Sequence, residues 1–127
     1  MTDTMETVLW ILQILLAGAF AFAGLFKLTQ RRAKYLESQP SMADFTDSQV
    51  KGIGVLEVLA AIGLIAPAAL GVVPLLTAFA AAGVVLLMVG AARHHLRHSE
   101  TQMLPVNFVL GAIALFVAIE RFGPHAL

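Results

Sequence analysis

"VLAAIGLIAPAALGVVPLLTAFAAAGVVLLMVGAA", residues 58–92, contains no charged side chain. A helix rises about 1.5 Å per residue, and about 20 apolar residues cross the hydrocarbon core of a bilayer. The run is therefore too long for one span, and "APAALGVVP", residues 66–74, punctuates it. Splitting it at residues 67–74 gives two helices joined by a tight, uncharged turn. Two further apolar runs flank the pair: "TVLWILQILLAGAFAFAGLF" at residues 7–26 and "TQMLPVNFVLGAIALFVAI" at residues 101–119. The expected fold is an all-α membrane protein, a four-transmembrane-helix bundle forming one domain over residues 1–127. Its helices are expected at about 6–28, 48–66, 74–95 and 104–121.

Composition agrees with that reading. Hydrophobic residues make up 59% of the chain and charged residues 13%, against about 25% charged in soluble domains; mean hydropathy is +0.86. Net charge is zero, and no basic patch with interleaved aromatics points to nucleic acid. Cysteine is absent, which removes disulfides, thiol exchange and cysteine–zinc sites. Any redox role then belongs to a bound cofactor or a partner. The first run contains "AFA", resembling a signal-peptide cleavage site, but the N-terminus carries Asp3 and Glu6 and no basic residue. It reads as a retained helix.

Lys and Arg set the expected orientation. Lys27, Arg31, Arg32, Lys34 and Lys51 lie in or beside the first loop, Arg93 and Arg97 in the third, and Arg121 alone at the other side. The basic side is expected in the cytoplasm, with both termini on the outer side. The tail "KLTQRRAKYLESQP", residues 27–40, is expected to continue the first helix along the interface and stop near Pro40. The segment "SMADFTDSQV", residues 41–50, reads as a short surface helix or turn with Ser41, Asp47 and Ser48 as candidate N-caps; the second membrane helix is expected to run from about Ser48 to Ala66, before Pro67. Pro74 suits the first turn of the third, and Pro105 lies in the first turn of the fourth.

Residues at helical spacing share faces. Gln13, Ala17, Gly24 and Lys27 form one such stripe; Gly54, Glu57 and Ala61 a second. Thr77, Ala81, Met88, Ala91 and His95 form a third; Asn107, Gly111, Ala114 and Ala118 a fourth. Small residues mark the packed side of a membrane helix, so these stripes should face inward. Glu57 is the most informative residue: a carboxylate in an apolar segment must be paired or protonated, and Lys27 or a histidine is its expected partner. Lys27, Glu57, His95 and Asn107 fall at about one depth, near the basic side, and are the candidate binding residues. Glu57 and His95 are the candidates for proton transfer. Against this stand plainer readings: a structural Lys27–Glu57 pair, a snorkelling Lys27, and an Asn107 that joins helices by a hydrogen bond. His94, His95 and His98 read as interfacial residues near lipid phosphates, and no metal or haem site is expected. Trp10 reads as an interfacial anchor, Glu120 and Arg121 as an exposed pair at the end of the last helix or as headgroup-binding residues. The outer half of the bundle is expected to be almost purely apolar. Gly18, Gly83 and Gly90, on outward faces, would permit a homo-oligomer.

The ordered set "AFAGLFKL" (residues 21–28), "GIGVLEVLAAIGLI" (52–65), "GVVPLLTAFAAAGVVLLMVGAARHHLRHSE" (71–100) and "LPVNFVLGAIALFVAIER" (104–121) resembles the DoxX-like family of small membrane proteins, including the family's G-x-x-K-L signature at the close of the first helix. The resemblance covers nearly the whole chain. It implies a four-helix integral membrane protein, mostly bacterial and so in the cytoplasmic membrane, with Gly24, Lys27, Glu57, His95 and Asn107 as characteristic positions. Some members of the family are linked to quinone-dependent sulfur oxidation or to membrane redox-protection complexes, and related animal proteins act as receptor assembly factors. Three functions follow as expectations: an accessory subunit of a membrane redox system, binding a quinone or lipid beside a redox-protein partner; an isomerase-like acid–base enzyme acting on a small lipophilic substrate; or an assembly factor without ligand.

Overall fold

The computed structural model describes residues 4–127, which leaves Asp3 outside it; every regular element among the described residues is helical. Four long apolar helices form the bundle: α1 (Thr4–Thr29), α3 (Asp47–Leu70), α4 (Leu75–Arg97) and α5 (Leu104–Phe122). A short helix, α2 (Arg32–Ser38), and a 3₁₀ turn (Pro40–Asp44) lie between α1 and α3, and a second 3₁₀ turn (Thr101–Met103) leads into α5. The chain packs in sequence order, α1 on α3, α3 on α4 and α4 on α5, with a narrower strip between α1 and α5.

The four stripes expected to face inward supply the buried residues: Gln13, Ala17 and Gly24; Gly54, Glu57 and Ala61; Thr77, Ala81, Met88 and His95; Asn107, Ala114 and Ala118. Leu16, Phe20, Leu64, Val84 and Val117 fill the space between them. The outward faces carry large apolar side chains, among them Leu86, Phe22 and Phe108, the last 78% exposed. Water would penalise such a surface by about 25 cal/mol per Å², whereas lipid does not. The chain is an integral membrane protein.

Three local expectations are corrected. The basic tail does not continue α1. Lys51 Nζ donates to the carbonyls of Lys27 (2.5 Å) and Gln30 (2.8 Å), placing a cation on the negative end of the helix. The chain breaks at Arg31, which is extended, before α2 begins. The α3 cap is neither Ser41, Asp47 nor Ser48 but Thr46. Its hydroxyl accepts from Gln49 N–H at 3.1 Å while the Gln49 side chain accepts from Thr46 N–H at 2.9 Å, a reciprocal capping box.

The third correction concerns Pro67, which does not end α3; the helix runs on to Leu70 and turns at Gly71, in the left-handed region at φ 67°. A proline inside a helix leaves the carbonyl four residues earlier without its N–H partner. That carbonyl belongs to Gly63, and the Thr77 hydroxyl of α4 donates to it at 2.9 Å. In a membrane interior a backbone acceptor freed in this way needs such a replacement. Thr77→Val should therefore cost about 1–3 kcal/mol, read as a lower melting temperature in detergent. In the Pro67→Ala background, where position 67 regains its N–H, the same change should cost less than half as much.

Candidate functional site

The site begins where α1 crosses α3. A Cβ added at Gly24 would lie 2.6 Å from the Gly54 carbonyl oxygen, and one added at Gly54 would lie 2.9 Å from that of Gly24. The two backbones touch because neither residue has a side chain. Lys27 and Glu57 each lie three residues further along, on the same faces as these glycines. The contact brings them together: Lys27 Nζ is 2.8 Å from Glu57 Oε1, with side chains only 13% and 8% exposed. Glu57 has the partner its sequence environment demanded.

Beside Lys27 is a cavity of about 360 Å³ between the end of α1, the α2 segment and the start of α3. Phe22, Phe26, Tyr35 and Met42 give it apolar walls, and Lys27, Ser38 and Gln39 give it polar groups. Phe22 and Phe26 stack with ring centroids 6.5 Å apart. Tyr35 is held in place: its hydroxyl donates to Asp47 Oδ1 at 2.8 Å and accepts from Arg32 Nη1 at 3.1 Å, while the Lys51 ammonium lies 5.4 Å from its ring centre. Burial and the Asp47 carboxylate push the phenol above its ordinary range, so it remains a protonated donor at neutral pH. Glu57 does not line this cavity; it stands behind Lys27.

His95 and Asn107 are buried at the same end of the bundle but belong to other contacts. His95 Nδ1 is 2.9 Å from Glu100 Oε1, and Glu100 also accepts from the Ser41 hydroxyl and, at 3.4 Å, from the Ser41 N–H. The Ser41 hydroxyl, and after it His95, hold the Glu100 carboxyl below its ordinary range. Asn107 Nδ2 is buried without a hydrogen-bond partner. Among the described residues, no hydrogen bond or ion pair joins His95 or Asn107 to the Lys27–Glu57 pair. Sequence patterning gives no role to Tyr35 or Glu100, and marks Ser41 and Asp47 only as candidate N-caps. Their contacts span loops, and no periodicity signals such pairings.

The opposite end of the bundle, where α1 begins and α5 ends, contradicts two expectations. Arg121 is not exposed but buried, at 1% exposure. Its Nε donates to Gln13 Oε1 at 2.8 Å and its Nη1 to the His125 carbonyl at 3.0 Å; the same Nη1 pairs with Glu6 Oε1 at 2.7 Å. Its guanidinium also lies 6.0 Å from the centre of the Trp10 ring. Gln13 in turn donates to the Leu64 carbonyl at 2.7 Å, linking α1, α3 and α5. Glu120 pairs with His125 Nδ1 at 2.6 Å rather than with Arg121. This half of the bundle is therefore not purely apolar. The available signal was Gln13 itself, an amide in an inward stripe that required a partner.

The family model for the DoxX-like family matches residues 11–117, from within α1 to within α5. No curated protein and no solved structure shows a significant match.

The short distance and low exposure of the Lys27–Glu57 pair generate a specific expectation. Lys27→Met and Glu57→Gln should each cost about 3–5 kcal/mol, because each leaves its partner buried and unpaired. The double variant should lose clearly less than the sum of the two. Denaturant titration of the purified protein in mixed micelles measures all three values.

Proposed function

The chain belongs to the DoxX-like family, and from that premise we propose that it is an accessory subunit of a redox system in the bacterial cytoplasmic membrane, holding a quinone or a lipid beside Lys27. The observation that carries this reading is the cavity of about 360 Å³ at the end of the bundle with the basic loops. It combines an aromatic wall with a single ammonium group, a combination suited to a molecule with an apolar body and an oxygen-bearing head. Lys27 would donate to a quinone carbonyl or a phosphate oxygen. Glu57, behind it at 2.8 Å, keeps the ammonium aimed. Phe22, 75% exposed on the lipid-facing side of α1, stands at the lateral approach.

The excess of Lys and Arg at this end supports placing it in the cytoplasm, where protons for quinone reduction are available. With no cysteine in the chain, electrons would come from a redox-protein partner. A second reading has an observation of its own: Glu57 is shut behind Lys27 and away from the cavity. That favours a structural clamp in an assembly factor over an acid–base enzyme, which would need its carboxylate against the substrate.

The test uses the full chain in nanodiscs, titrated with a short-chain ubiquinone analogue and followed by quinone difference absorbance, with native mass spectrometry to detect retained phospholipid. A quinone site predicts saturable binding that Lys27→Met weakens at least about tenfold, the worth of one charge-assisted hydrogen bond. A lipid site predicts a retained phospholipid that the same variant releases. If neither molecule is retained by the wild-type protein, the binding reading fails and the clamp remains.

A further inference from the structure

The loop between α1 and α3 reaches across the bundle and meets the end of α4. Ser41 binds Glu100 there, and the ring of Phe45 packs on that of His94 with centroids 5.0 Å apart. These contacts deliver Asp44 to His94 and His98. The two histidines are four residues apart, His94 in the last turn of α4 and His98 at its C-cap, and their ring centroids are 4.4 Å apart.

We propose that Asp44, His94 and His98 form a binding site for one divalent transition-metal cation of the zinc type, which fastens the α2 segment to the end of α4. One ligating atom from each residue lies within 4.8 Å of the others. In a tetrahedral zinc site, with bonds of about 2.0–2.2 Å, donor atoms stand roughly 3.3 Å apart. Asp44, with its side chain 59% exposed, has the freedom to close the difference. Two imidazoles and a carboxylate match the preference of zinc and its neighbours rather than of magnesium or calcium, and a fourth position is left for water.

Two further observations point to a ligand. His98 Nδ1 lies 2.9 Å from the His94 carbonyl, while His98 Nε2 faces Asp44 Oδ2 at 2.6 Å. A ring that donates one N–H to a carbonyl and turns its other nitrogen toward a carboxylate has the orientation found behind metal-ligating histidines. His94 Nε2 is buried and has no hydrogen-bond partner, so this cluster contains a polar atom left unsatisfied by the protein. The cation would take the place of the His98–Asp44 hydrogen bond and draw His94 into the same contact. Since the same loop contributes Tyr35, Gln39 and Met42 to the cavity, a metal here would also steady that wall.

The experiment measures metal directly and is independent of quinone or lipid binding. The full chain, carrying no polyhistidine tag and stripped with a chelator, is titrated with Zn²⁺ against a chromophoric chelator. Binding of one Zn²⁺ per chain is expected, with affinity lowered at least about tenfold by His94→Ala, His98→Ala and Asp44→Asn, and unchanged by His125→Ala at the far end. Zn²⁺ should also raise the melting temperature of the wild-type protein and not that of Asp44→Asn, whose change at an exposed side chain leaves the fold intact. Absence of saturable Zn²⁺ binding, or binding that Asp44→Asn and His98→Ala leave unaltered, overturns the proposal.

Discussion

α1 and α3 approach until the carbonyl of one backbone meets the Cα of the other, and the candidate site depends on that distance. Gly24 and Gly54 permit it, since a single methyl group at either would press on a backbone oxygen. Without a hydrophobic driving force between helices in lipid, close packing of small residues and interhelical polar contacts must hold the pair together. Both occur within one turn. The glycines set the spacing, and Lys27 and Glu57 close on each other at 2.8 Å just beyond them. An ammonium or a carboxylate alone at this position would be strongly unfavourable. Together, and with apolar helix faces outside them, they fix both the register of α1 against α3 and the direction of the Lys27 head beside the cavity.

The rest of the bundle follows the same rule at other points. Each helix presents apolar bulk to lipid and turns a narrow stripe inward, and most polar groups on the stripes have a cross-helix partner. Thr77 serves the carbonyl that Pro67 leaves free. Gln13 bridges Arg121 and the Leu64 carbonyl. Lys51 closes the end of α1. These contacts tie together helices whose apolar surfaces alone would be satisfied equally well by lipid.

Much of the fold was legible in the chain. The absence of charge over residues 58–92, the two flanking apolar runs and the small-residue spacing identified four spans and their inward faces. Glu57 pointed to Lys27 because both are charged groups at one depth on stripes containing glycine. Two of the differences share a cause, a partner remote in sequence. Pro67 reads as a helix end because local sequence shows the lost N–H but not the Thr77 hydroxyl that compensates for it. Arg121 reads as exposed because its position near a helix end says nothing about the amide and carboxylate on α1. The Thr46 cap is different, because its T-x-x-Q pattern with Gln49 is local and present in the sequence.

Composition and hydrophobic period settled the solvent of this protein, the number of its spans and the side of each helix that packs, because those properties depend on one helix and its surroundings at a time. The partition of polar residues into separate groups required the folded chain. His95 turns to Glu100, Glu57 to Lys27, and Asp44 reaches His98 across 54 positions of sequence. Hydrogen bonds and ion pairs act over about 3 Å, and helical periodicity gives faces and depths without distances between helices. Which of several polar groups at one depth become partners is therefore decided by helix crossings and by the path of the loop over the end of the bundle.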